Sequence, residues 1–190
     1  MFFTFKFLSG MNSKQRKIAK KYNLLINKID REVDRLAKMH SNHLQCKKGC
    51  DLCCMDYSIF PVEYYAILDN LKAVNFHIET DVKDDNSCAF LKDHACSIYE
   101  NRPVICRTHG LPLIYMNDDH EWELSNCELN FNDFDFDEFT INNTFQQDKF
   151  NSSLFVLNKE FISDFVDNKF SKVDLIPLKN LAKELKNNND

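Results

Sequence analysis

The sequence predicts a mainly α fold, a compact helical single domain around a cysteine-rich core that carries one small β-hairpin. Three observations predict it. A long stretch near the N-terminus repeats apolar residues every three or four positions, further stretches in the C-terminal third do the same, and four of the eight cysteines lie within residues 46–54. With 190 residues, 44% of them hydrophobic, the chain is one domain of ordinary size, able to bury roughly 70% of its unfolded surface without needing crosslinks to fold. Three parts are expected: an N-terminal extension and long amphipathic helix over 1–45, a cysteine-cluster core over 46–130, and a C-terminal helical part over 131–190 packing on the same domain.

The first element is a helix from Ser13 to about His43, with Ile18, Tyr22, Leu25, Ile29, Val33, Leu36 and Met39 or His40 forming a core-facing stripe. Its other face carries Lys14, Lys17, Lys21, Lys28, Arg31, Arg35 and Lys38, which reads first as a solvated face and second as a surface for phosphates or an acidic partner. His40 and His43 read as helix-end residues rather than ligands. Met11 offers an alternative start, and the apolar run Met1 to Leu8 is too short, with its basic residues on the wrong side, for a good signal peptide. The expected compartment is therefore the cytosol, where thiols stay reduced and clustered cysteines point to metal or redox chemistry rather than disulfides.

Residues 46–54 read Cys-Lys-Lys-Gly-Cys-Asp-Leu-Cys-Cys. Drawn as a helix at about 100° per residue, Cys46, Cys50, Cys53 and Cys54 fall within an arc of roughly 100°, and Gly49 permits a looped path to the same end. The side chains of the adjacent Cys53 and Cys54 diverge, so the pair serves a multi-iron cluster or two neighbouring sites, unless one is a packed thiol. Pro61 then opens a helix with Tyr64, Ile67, Leu68 and Leu71 on one side and Glu63 near the positive end of its dipole, which buttresses the cysteine loop. Residues 79–87 are polar and read as a linker.

Cys88-Ala-Phe-Leu, Lys92-Asp93-His94 and Ala-Cys96-Ser-Ile-Tyr99 predict a hairpin that presents two thiols. Pro103 suits the start of a short helix bearing Cys106 and Arg107. Arg102 and Arg107 are candidates to offset the negative charge of a thiolate-bound centre, the alternative being two ordinary surface arginines. From Tyr115 to Thr140 there are nine acidic residues and no Lys or Arg, a segment that complements the basic helix within the fold or repels nucleic acid. The alternation at Phe134-Asp135-Phe136-Asp137 predicts an edge strand or an extended segment draped on the core. Phe145 to Phe165 predicts a helix with Leu154, Leu157, Phe161 and Phe165 on one face; Val173 to Leu185 predicts a short extended piece broken by Pro177 and a terminal helix, and Asn187 to Asp190 a disordered end.

The run Cys46-x3-Cys50-x2-Cys53-Cys54, followed by Cys88-x-Phe-Leu, Cys96-x-Ile-Tyr and Arg102-Pro103-x-x-Cys106-Arg107, resembles the YkgJ-type cysteine-cluster family, a zinc- or iron-chelating domain, over roughly residues 46 to 130. A related cysteine pattern occurs in flagellin lysine N-methylases. The resemblance extends the eight-cysteine pattern to Cys127 and implies metal chelation. At Thr108-His109-Gly110-Leu111-Pro112 the sequence departs from the aromatic residue and proline that many members carry after Cys-Arg.

The resulting metal ligands are Cys46, Cys50, Cys53, Cys54, Cys88, Cys96, Cys106 and Cys127. Thiolates select zinc, iron–sulfur clusters or cuprous copper, and eight of them fill two four-coordinate zinc sites, two clusters, or one cluster with spares. A dense knot plus dispersed single cysteines favours an iron–sulfur cluster (4Fe–4S), with zinc next, and His109 reads as a satisfied histidine outside the ligand set. Cys46-x3-Cys50-x2-Cys53 matches the spacing of radical S-adenosylmethionine enzymes, but Cys54 follows at once and no barrel of alternating strands and helices is patterned after it. With three glycines the chain has no phosphate-binding loop and no dinucleotide fingerprint, and no catalytic residue stands out.

The function read from these residues is a metal-chelating cysteine-cluster protein with an iron–sulfur cluster or zinc, redox-active or accessory to a modification enzyme; the alternative is a zinc-stabilised protein-interaction module without catalysis. The expected partners are the metal or cluster and another protein. Nucleic acid is disfavoured by the net charge of −5, and a membrane by the lack of an apolar run near the roughly 20 residues a span needs.

Overall fold

The structure, a computed structural model, describes residues 11–47, 49–78, 86–165 and 169–187. The apolar start at Met1 to Leu8, most of the expected linker at 79–87 and the last three residues lie outside the described residues. Five helices and seven short strands alternate along the described chain, so the fold is mixed α/β rather than mainly α. The expected hairpin is present, and two further small sheets accompany it.

Helix α1, Ser13–Met39, opens with a reciprocal cap in which the Asn12 side chain accepts from the Gln15 backbone N–H and the Gln15 side chain accepts from that of Asn12. Its stripe of Ile18, Tyr22, Leu25, Ile29 and Leu36 is buried, and His40, not Met39, continues it, since His40 is buried as the C-cap while Met39 is exposed. Two residues of the basic face are answered from outside the acidic segment 115–140, Lys14 by Asp164 and Lys21 by Glu160, and Arg16 beside them pairs with Asp69.

Strand β1, Ser58–Ile59, leads into α2, Pro61–Ala73. This helix is apolar well beyond the one predicted face: Pro61 through Leu68 and Leu71 are all buried, because α2 runs between α1, α4 (Gln147–Ile162) and α5 (Leu178–Asn187). Strand β2, Leu91–Lys92, pairs with β3, Ala95–Cys96, through the two-residue turn Asp93-His94, whose φ angles of 49° and 59° suit the hairpin geometry that matches strand twist. Helix α3, Val104–Thr108, is capped by Pro103. Strand β4, Leu113–Met116, then pairs antiparallel with β5, Trp122–Ser125, and parallel with β6, Phe145–Gln146, a sheet not anticipated from the sequence. It takes the first two residues of the helix expected from Phe145. Strand β7, Ile176–Pro177, closes against β1.

The segment at Phe134 is neither an edge strand nor fully extended. It turns and forms a single 3-10 turn at Phe136–Glu138, with Asp135 accepting from the Asp137 N–H. The reason is aromatic: Phe131, Phe134 and Phe139 gather around His40 and His43, with Phe134 and Phe139 ring centroids 4.5 Å apart.

A buried polar knot joins α1, α2 and α3. Glu63 Oε1 accepts from the Tyr22 hydroxyl at 3.2 Å and from the Val104 N–H at 3.0 Å. Burial pushes the Glu63 carboxyl up to about 7 from its ordinary 4.5, against the pull of these donors and the Arg107 charge. A carboxyl whose folded pKa exceeds its unfolded one contributes stability below the unfolded value and loses it as pH rises through the folded value, here on the order of 3 kcal/mol between about 4.5 and about 7. Glu63→Gln keeps the acceptor and cannot ionise. Its urea midpoint is expected to match the wild type near pH 5 and to exceed it at pH 8.

Candidate metal centre

The loop over residues 46–54 follows the looped path, not the helical one. The Cys50 N–H bonds the Lys47 carbonyl at 3.0 Å, the Cys54 N–H bonds the Asp51 carbonyl at 2.8 Å, and Gly49 sits at φ 98°, a conformation that favours glycine. All eight cysteines are free; Cys46 and Cys53 are exposed and the other six half-buried. They come from four parts of the chain: this loop, the β2–β3 hairpin, α3 and the turn at Cys127.

Specific bonds bring those parts together. Asn130, 2% exposed, donates through Nδ2 to Cys46 Sγ at 3.3 Å and to the Gly110 carbonyl at 2.7 Å, while its Oδ1 accepts from the Gln45 N–H at 2.7 Å. Its own N–H bonds the Cys127 carbonyl, which also accepts from Asn126 Nδ2. Gly110, at φ 90°, passes so close that a Cβ there would lie 2.6 Å from Cys46 Sγ. On the other side, Met55 bridges Ser87 antiparallel, the Asp56 N–H bonds the Asn86 carbonyl, and His94 Nδ1 lies 2.8 Å from Asp51 Oδ2, tying the hairpin to the cysteine loop.

The electrostatics follow this arrangement. Burial raises the Cys88 thiol, offset in part by the N–H groups of Phe90 and Leu91 directed at its sulfur. Burial likewise raises Cys96, against the Ile98 N–H and the Arg102 charge. Burial and then the charges of Cys53, Cys88 and Cys96 push Cys54 up to about 12, and Cys106 is raised by burial, Cys88 and Cys96 while Arg102 pulls it back. Cys53 is raised by burial and by Cys46, Cys50 and Cys127. Crowded thiols that disfavour their own ionisation are the donor set a soft cation reverses, since it binds the deprotonated form. Among the described residues no three or more His, Cys, Asp or Glu side chains stand together as a group ready to hold a metal ion. The sulfurs are neighbours within electrostatic reach, and the backbone bonds above set which ones adjoin.

Arg102 stands beside this set, its guanidinium 3.5 Å over the Tyr99 ring and its charge felt by Cys96 and Cys106. Arg107 turns the other way: its guanidinium grips Asp30 Oδ1 and Oδ2 at 2.6 and 2.8 Å and the carbonyls of Arg102 and Glu100. His109 is not the satisfied histidine expected. Its Nε2 is buried with no hydrogen-bond partner among the described residues, its ring lies 5.1 Å from Tyr57, and burial lowers its pKa. Asn130, Asn126 and Tyr57 are the site residues that sequence reasoning missed, and nothing in their spacing marks them.

The described chain has no helix long and apolar enough to cross a membrane. No curated protein and no solved structure matches the chain. Residues 45–128 match the model of the CxxCxxCC family, described as "Putative zinc- or iron-chelating domain", so this part of the chain is similar to a metal-chelating domain.

Proposed function

We propose that the eight cysteines hold iron–sulfur chemistry, and that the protein acts as a redox-active or accessory component beside another enzyme. The observation that carries this reading is the donor set: eight free thiols from four parts of the chain, with backbone N–H groups directed at Cys88 and Cys96 and the Arg102 charge beside Cys96 and Cys106. Such donors suit a soft metal or cluster, and N–H dipoles with a nearby cation stabilise the excess negative charge of four-thiolate ligation. When bound, a cluster supplies electron transfer. The chain's own contribution is to gather the sulfurs, partly shield them and set their charge balance.

A second reading, zinc in the same thiols and a surface for another protein, is favoured by one observation. Leu52, Tyr99 and Ile105, from the segments that carry the cysteines, are 70%, 56% and 38% exposed. Anaerobic purification followed by metal and acid-labile sulfide analysis separates the two. Iron with equimolar sulfide and a brown protein that bleaches on reduction is the expected result; a colourless protein carrying zinc overturns it in favour of the second reading.

Gly110 provides an independent check on the chelating geometry. Gly110→Ala puts a Cβ against Cys46 Sγ and forces a left-handed φ on a residue with a side chain, a strain of about 1–3 kcal/mol. The variant is expected to lose metal held through Cys46 while keeping its far-UV circular dichroism, as elemental analysis of the folded protein will show.

A further inference from the structure

We infer that the eight cysteines form two separate four-thiol metal sites, one from Cys46, Cys50, Cys53 and Cys127 and the other from Cys54, Cys88, Cys96 and Cys106, joined through the Cys53–Cys54 peptide. This rests on the metal-chelating reading and adds which thiols share an ion or cluster.

The first set is assembled by Asn130. That one buried side chain holds the Cys46 sulfur, the Gly110 carbonyl and the Gln45 N–H, and its backbone closes the turn that begins at Cys127, so Cys46 and Cys127, 81 positions apart, are pinned to a common residue. Cys50 and Cys53 follow Cys46 round the same loop, and the sulfurs whose charges act on Cys53 are those of Cys46, Cys50 and Cys127.

The second set is assembled by strand pairing. Met55 opposes Ser87 in an antiparallel bridge, so continuing the register by one residue sets Cys54 opposite Cys88. In the hairpin Cys96 opposes Leu91, whose N–H bonds the Cys88 carbonyl, which keeps Cys88 and Cys96 together. Cys106 joins from α3: the thiol charges acting on it are those of Cys88, Cys96 and Cys54, and Arg102 acts on both Cys96 and Cys106. Cys53 and Cys54, adjacent in the turn that the Cys54 N–H closes on the Asp51 carbonyl and within reach of each other's charge, are where the two sets meet. Four thiolates complete a tetrahedral zinc site or a cubane cluster, and the division leaves no cysteine over.

The test is a cobalt(II) titration of the reduced, metal-free full-length chain under anaerobic conditions, read by thiolate-to-cobalt charge transfer and visible d–d absorption, with Cys127→Ala and Cys106→Ala alongside. Wild type is expected to saturate at two equivalents, and each variant at one equivalent with half the absorbance. Circular dichroism accompanies each titration to separate loss of fold from loss of a site, and the wild-type endpoint decides the stoichiometry by itself. An endpoint of one equivalent in wild type, or complete loss of binding by both folded variants, overturns the division while leaving metal chelation standing. A wild-type chain that binds no cobalt through thiolates overturns the metal-chelating reading and the division with it.

Discussion

Removing the metal from the reduced full-length protein is expected to collapse the cysteine segments, residues 46–55 and 86–130, while α1, α2, α4 and α5 keep most of their helical structure. The cysteine segments have little else to hold them. Their regular structure amounts to two-residue strands at β2 and β3, a 3-10 turn at Tyr99–Asn101, a five-residue α3 and the small β4–β5 pairing. Their contribution to the core is Ala89, Phe90, Ile98, Val104 and Leu111, whereas α1 and α2 alone supply most of the large buried side chains. A structural thiolate metal site contributes roughly 10–16 kcal/mol, comparable to the whole net stability of about 5–15 kcal/mol for a domain. Helix α2 goes with the helices although it lies between two cysteine segments, because its burial is against α1, α4 and α5. Amide hydrogen exchange before and after chelation under reducing conditions measures this. Unchanged protection at Phe90, Ser97 and Asn130 in the metal-free chain would refute the expectation.

The second large effect concerns Asp30. Arg107 is almost wholly buried, and Asp30, 77 residues away on α1, supplies the counter-charge for its guanidinium through two short bonds. Asp30→Ala leaves that cation in the interior hydrogen-bonded to the Arg102 and Glu100 carbonyls but without its paired carboxylate, and it also removes charge balance beside the Glu63–Tyr22 knot. Truncating one partner of a buried pair costs about 3–5 kcal/mol; since Asp30 is itself partly exposed, the lower end is expected. The measurement is the shift in urea midpoint at pH 7. Arg107→Lys is expected to lose nearly as much, because an ammonium cannot span both carboxylate oxygens and both carbonyls. If either substitution instead shifts the spectrum of the metal centre without changing the midpoint, Arg107 serves the thiols and not the α1–α3 contact.

Much of this was legible in the residues. The 3.6-residue period located α1, α2 and α4 to within a few positions, and two residues of turn chemistry located the β2–β3 hairpin. What escaped reading has physical causes. Strands β4 and β5 show no buried alternate face: Trp122 is exposed, and the pairing is held by main-chain bonds and by Asn117, whose Oδ1 accepts from the N–H groups of Asp119 and Glu121. No hydrophobic period therefore exists to detect. Arg107 sits next to a cysteine and so reads as a partner of thiolates, while the carboxylate that claims it lies on another helix. Asn130 is one asparagine in a polar run, and only folding reveals that its amide meets Cys46. Cys127 entered the reading through family resemblance, since its distance from the other cysteines gives it no local pattern.

The pairing of β1 with β7 bears on biosynthesis. Ile59 opposes Ile176, and the Leu178 N–H bonds the Tyr57 carbonyl, so the strand just after the double cysteine finds its neighbour only once residue 178 has left the ribosome. Until then the main-chain groups of Ser58 and Ile59 that face β7 are left to water. Slow codons between α4 and β7 would lengthen that interval, and faster ones would shorten it.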